Sequence, residues 1–141
     1  MACSGILGVI LVDANVLMYA GGREHPHKAA SAAFIEKVAA GAIMAVVDVE
    51  TLQEILHRYH SVGRRAEGAL VYDRARLVFP EALPITAAVT DLARRLLARY
   101  AHLSARDAVH AAAAEAYGIA EICTFDRHFD QVAGLRRIEP A

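Results

Sequence analysis

Two short apolar runs, each ending in an aspartate, constrain this chain more than any other feature. Gly8-Val-Ile-Leu-Val12 leads into Asp13-Ala-Asn-Val-Leu17, and Glu121-Ile-Cys-Thr-Phe125 leads into Asp126-Arg-His-Phe-Asp130. Apolar runs this short, bounded by turn signals, read as buried strands. A carboxylate at the carboxyl end of such a strand stands where open α/β sheets hold ligands. Two further acids, Glu54 and Asp107, fall on expected helices between these strands. The expected fold is α/β, with a parallel sheet flanked by helices on both faces.

The rest of the chain fits that alternation. A strand over 8–12 is followed by a short helix to Ala20, which Gly21-Gly22 breaks. His25-Pro26 opens a helix through Ala40, with Pro26 in its first turn and Gly41 at its end. Residues 42–47 read as a second buried strand, and Asp48 as the cap of a helix to His60 that Gly63 closes. A helix over 66–76 precedes one short strand within 78–85, interrupted by Pro80 and Pro84. Thr86 caps a periodic helix to Tyr100, with Val89, Leu92, Ala93, Leu96 and Leu97 on one face. Ser104 caps the next helix, which is alanine-rich, central and buried, and which Gly118 ends. Strand 121–124, a short helix over 127–132 and an edge strand over 136–138 complete the chain. No linker, repeat or low-complexity tract intervenes, so residues 1–141 read as a single domain.

Composition narrows the function classes. Apolar residues make up 56 %, which suits one domain with a real core. The apolar run 6–12 is far shorter than the roughly 20 residues a membrane span needs. It also leads directly into Asp13 rather than into a cleavage site, and no Lys or Arg precedes it, so neither a membrane segment nor a signal peptide is expected. Cys3 and Cys123 match neither a disulfide framework nor a zinc site; Cys123 reads as a small buried residue and the chain as cytoplasmic. The net charge of −1 is not that of a strongly basic nucleic-acid binder. Thirteen of the 15 basic residues are nevertheless Arg, the side chain suited to bidentate phosphate contact.

Each acid has a structural explanation of its own. Asp13 and Asp126 suit helix caps, and Asp107 lies in a first turn that favours negative charge. On a helical wheel Val49, Leu52, Ile55, Leu56 and Tyr59 share one side, and Glu54 lies nearly opposite. Joint placement shifts the balance. Buried carboxylates repel one another and resist desolvation, so a cluster needs a compensating cation. Oxygen ligands suit a hard divalent ion. None of the seven histidines falls in a zinc signature, and His110 reads as a core or supporting group rather than a ligand. Ser104 and Thr124 lack a Ser–His–acid signature; Thr124, two residues before Asp126, can face the same side and hold a carboxylate or water.

Four segments in order carry a resemblance: Val12-Asp-Ala-Asn15, Val49-Glu-Thr-Leu-Gln-Glu-Ile-Leu56, Leu103-Ser-Ala-Arg-Asp-Ala-Val-His-Ala111 and Thr124-Phe-Asp-Arg-His-Phe-Asp130. Together they resemble the PIN-domain nucleases, and among these the small stand-alone toxins of VapC type. The resemblance implies a Rossmann-like sheet with its acids gathered in one groove. It implies that Asp13, Glu54, Asp107 and Asp126 are the catalytic, metal-binding acids, supported by Asn15 and Thr124. It also implies one or two Mg²⁺ or Mn²⁺ ions, cleavage of RNA phosphodiesters, a homodimer and a cognate antitoxin that inserts a segment into the acidic groove. Asp130 follows the common pattern but serves equally well as a surface or capping acid.

Two rivals change the fold-level reading and fail on particular residues. A haloacid-dehalogenase-type phosphatase wants a second Asp two residues after the first, where this chain has Asn15. A receiver domain needs a Lys near its last strands, whereas Lys28 and Lys37 both lie early. Two others keep the fold: a PIN nuclease of RNA processing outside toxin–antitoxin systems, and a non-catalytic module whose acidic groove holds a partner's Arg.

Overall fold

A computed structural model describes residues 8–141. Cys3 and the start of the apolar run 6–12 lie outside the described residues. Five strands among these residues form one parallel sheet: β1 (Ile10–Val12), β2 (Ala45–Asp48), β3 (Ala82–Leu83), β4 (Glu121–Cys123) and β5 (Arg136–Ile138). Their order across the sheet is β3-β2-β1-β4-β5. The chain therefore leaves β1 toward one side of the sheet and later returns to its other side. The carboxyl ends of β1 and β4 flank the resulting crevice, where doubly wound sheets place ligands.

Among the described residues six α-helices cover both faces: α1 (Ala14–Gly21), α2 (Lys28–Ala39), α3 (Val49–Ser61), α4 (Arg65–Val78), α5 (Ala87–Arg99) and α6 (Ala105–Ala116). Successive strand residues point to opposite faces and so divide between two cores. Leu11 and Ile122 pack with α5 and α6, through Val89, Ala93, Leu96 and the α6 alanines. Val12, Val47 and Cys123 pack with α1 to α4, through Leu17, Phe34, Ile55, Val71 and Ala75. The α/β architecture read from the sequence is the one observed.

Element boundaries shift for local reasons. The first strand starts at Ile10 because Gly8 turns the chain with φ +80°. The second is 45–48 rather than 42–47, since the amides of Ala42 and Ile43 still bond the Lys37 carbonyl at the end of α2. That helix begins at Lys28, two residues after Pro26, because the Lys28 amide first closes a turn onto the His25 carbonyl. Asp48, Thr86 and Ser104 cap α3, α5 and α6 as expected, each accepting an amide from the first turn. The last short helix, Arg127–Gln131, is a 3-10 turn.

Gly68 marks a close approach. A Cβ there would lie 2.5 Å from the Cβ of Tyr59, so only glycine lets α4 pack this tightly on α3.

Candidate functional site

Asp13 ends β1 and caps α1. Its Oδ1 accepts the Ala14 amide at 2.7 Å, and its Oδ2 accepts the Thr124 hydroxyl at 2.8 Å and the Asn15 amide at 3.3 Å. Asn15 Nδ2 also reaches Thr124 Oγ1 at 3.1 Å, and that oxygen takes the Asp126 amide at 3.0 Å. One hydroxyl thus ties the carboxyl ends of β1 and β4 together. Asn15 and Thr124, the two residues expected to support the acids, both donate hydrogen bonds to Asp13. Burial pushes the Asp13 carboxyl above its usual range, opposed by His110 and reinforced by Glu54.

Glu54 corrects the wheel argument. Val49 and Leu56 are exposed, while Thr51, Leu52, Ile55 and Tyr59 form the buried face of α3. The true buried stripe is rotated toward Thr51, and Glu54, one turn after Thr51, borders it rather than opposing it. Its side chain is 15 % exposed. Glu54, Asp13 and His110 each bring a ligand-type atom within 4.8 Å of the others. Arg106 Nη1 stands 3.8 Å from Glu54 Oε2 at the rim.

Asp107 and Asp126 form an adjoining group. With His128 they too present atoms within 4.8 Å of one another. The Asp107 carboxyl is pushed up to about 6, by burial first and then by the charges of Asp126 and Asp13. Asp126 caps the 3-10 turn through a 2.9 Å bond from the His128 amide. Capping and clustering therefore coexist at both strand ends. Asp130 is exposed and accepts from Arg137 Nε at 2.8 Å.

Asp48, which the sequence marks only as a helix cap, does more. Its Oδ1 does accept the Thr51 amide at 3.0 Å, but its Oδ2 lies 2.6 Å from His110 Nδ1. The ring is 1 % exposed, and its Nε2 stands 3.6 Å from Asp13 Oδ1 and 3.5 Å from Glu54 Oε1. Burial disfavours its charge, yet Asp48, Glu54 and Asp13 outweigh that and hold the imidazole well above its usual pKa. The strand-end position of Asp48, equivalent to that of Asp13, was the only signal in the sequence that could have found this pair.

The family model for the PIN domain matches residues 10–135. This chain belongs to the PIN-domain family. It is 41 % identical over 130 residues to Ribonuclease VapC13 of Mycobacterium tuberculosis, covering 92 % of this chain and 99 % of that one. A VapC ribonuclease of Mycobacterium bovis matches to the same extent. Among solved structures, VapBC2 of Rickettsia felis bound to a promoter DNA fragment is similar over 94 % of this chain and 99 % of that one, with TM-score 0.74 and 15 % identity. At that identity the likeness speaks for the fold alone.

The donor set of this PIN domain fits a hard divalent cation. Each of the two groups, Asp13–Glu54–His110 and Asp107–Asp126–His128, offers two carboxylates, and in each one carboxyl is raised in pKa by burial and neighbouring charge. Asn15 Oδ1 and His110 Nε2 are also buried without a hydrogen-bond partner among the described residues. Buried polar atoms are rarely left unpaired. Here both orphans belong to side chains that flank Asp13.

Proposed function

We propose that this chain is a Mg²⁺- or Mn²⁺-dependent endoribonuclease, the toxin of a toxin–antitoxin pair. The observation that carries this reading is the gathering of Asp13, Glu54, Asp107 and Asp126 into two adjoining groups at the carboxyl edge of the sheet. The 41 % identity to VapC ribonucleases over nearly the whole chain supports the same chemistry and substrate. When bound, the ion supplies Lewis-acid catalysis of phosphodiester hydrolysis. Asp13, Glu54, Asp107 and Asp126 would hold it. Thr124 and Asn15 hold Asp13 in place, and Asp48 turns the His110 ring so that Nε2 faces Asp13 and Glu54.

The single domain, the homodimer and the antitoxin belong to the same proposal. Exposed apolar side chains on α3 and α4, among them Leu56 (48 %), Leu70 (50 %) and Leu77 (83 %), offer a surface for protein contact. No described helix is long and apolar enough to cross a membrane.

Incubating pooled RNA with the purified chain in Mg²⁺ or Mn²⁺, with EDTA and Asp107→Asn in parallel, tests the reading. Cleavage lost in both controls supports it. Cleavage surviving Asp107→Asn removes Asp107 from the site. No cleavage by folded, metal-loaded protein favours a non-catalytic acidic groove.

A further inference from the structure

On the ribonuclease reading above, we propose that the groove beside the acids is a single-stranded RNA subsite, in which one base stacks on the Tyr19–His25 ring pair and the neighbouring phosphate meets Arg58. Asn15, Tyr19, Arg23, His25, Glu54 and Arg58 line this cleft of about 460 Å³. Pockets that take small ligands run from about 300 to 1,000 Å³, so a nucleotide-sized group fits. One end is the acidic site itself, through Asn15 and Glu54. Glu24 and Arg64 line it as well, and Arg23 and Arg58 are both exposed.

Two helices set this layout with the same spacing. On α1, Asn15 is followed four residues later by Tyr19; on α3, Glu54 is followed four residues later by Arg58. Residues four apart share a helix face with roughly 5–6 Å between their Cβ atoms. Each helix thus presents a site residue and, one turn on, a residue of the groove. A chain running out of the acidic centre meets an aromatic face on one wall and a guanidinium on the other.

The aromatic wall is built, not incidental. Tyr19 and His25 stack with centroids 4.3 Å apart and planes at 29°. The His27 amide donates to His25 Nδ1 at 3.1 Å, which fixes the outer ring. Behind them His27 stacks on Phe125 at 3.9 Å, and Phe125 meets Tyr19 edge-on at 5.4 Å. Four rings therefore run from the residue beside Asp126 out to the groove, with His25 exposed and Tyr19 half-buried. Arg58 makes no ion pair among the described residues, while Arg23 holds only an exposed 3.4 Å contact to Glu67. An exposed His25 ring backed by Tyr19, in one cleft with an arginine that makes no ion pair, suits a nucleotide, because every base has a π-face and every link a phosphate.

Fluorescence anisotropy with the full chain tests this, using labelled single-stranded RNA of pooled sequence in Ca²⁺. Tyr19→Ala weakens binding by about 5- to 150-fold, the loss of one stacked base, and Tyr19→Phe restores it. Arg58→Gln, at an exposed site where folding is safe, weakens binding across sequences and lowers the salt slope by about one. Unchanged affinity in Tyr19→Ala and Arg58→Gln overturns the subsite while wild-type cleavage leaves the nuclease reading intact. Wild-type protein that binds no RNA but does bind an Arg-bearing antitoxin peptide, losing it with Tyr19→Ala, gives the groove to a protein partner and overturns the proposal.

Discussion

His110 Nδ1 stands 2.6 Å from Asp48 Oδ2, with both side chains withdrawn from water. The carboxylate's other oxygen caps α3, so one residue at the end of β2 anchors both α3 and the central helix α6. The ring's second nitrogen is thereby fixed toward Asp13 and Glu54.

The pair is expected to act as a unit. Removing one partner of a buried charged pair costs about 3–5 kcal/mol. Asp48→Asn keeps an oxygen for the α3 cap, and His110→Gln removes the ring. The double variant is expected to lose less stability than the sum of the singles, by about 0.5–3 kcal/mol. Denaturant melts of all four proteins measure this; additive losses would show that the contact contributes no coupling.

Asp107 makes the metal-free protein pH-sensitive. Its carboxyl is raised from 3.8 to about 6 in the folded chain, by burial and then by Asp126 and Asp13. A raised acid binds its proton more tightly when folded, so stability falls as pH climbs between those two values. His110, raised well above 6.5, adds stability that is present below that value and lost as pH rises through its folded pKa. In EDTA the melting temperature should therefore fall with rising pH, less steeply for Asp107→Asn. Added Mg²⁺ or Mn²⁺ at neutral pH should raise it more for the wild type than for that variant. Equal metal shifts would remove Asp107 as a ligand.

Thr124 braces Asp13 and the Asp126 amide with one hydroxyl. Thr124→Val should cost about 1–3 kcal/mol, since it leaves buried polar partners unpaired. Calorimetric Mn²⁺ titration should show weaker binding for Val and near-native binding for Thr124→Ser. Full affinity in Thr124→Val would mean that Asp13 holds its position without the hydroxyl.

Gly68→Ala should destabilise by about 1–3 kcal/mol, because the new methyl meets the Tyr59 Cβ at 2.5 Å. A thermal melt reads this directly, and an unchanged midpoint would show that α4 slides without cost.

Much of this was legible in the chain. Short apolar runs ending in Asp13 and Asp126, and caps at Asp48, Thr86 and Ser104, depend on contacts within a few residues, which sequence spacing records. The alanines of α6 likewise announced a helix packed on most sides. Glu54 was misjudged on the wheel because Val49 and Leu56 are apolar yet exposed, and side-chain chemistry alone does not say which apolar residues find a partner.

The sequence by itself determined the α/β class and the order of its elements, and it marked four acids as candidates, because periodicity, caps and strand-end carboxylates are local properties. Only the tertiary structure decided that Asp48 grips His110 across 62 residues and that Thr124 reaches Asp13 across 111. It also decided that Tyr19, His25 and Arg58 face one groove. Such contacts depend on how strands order in the sheet and how each helix rotates upon it, and burial in three dimensions fixes both.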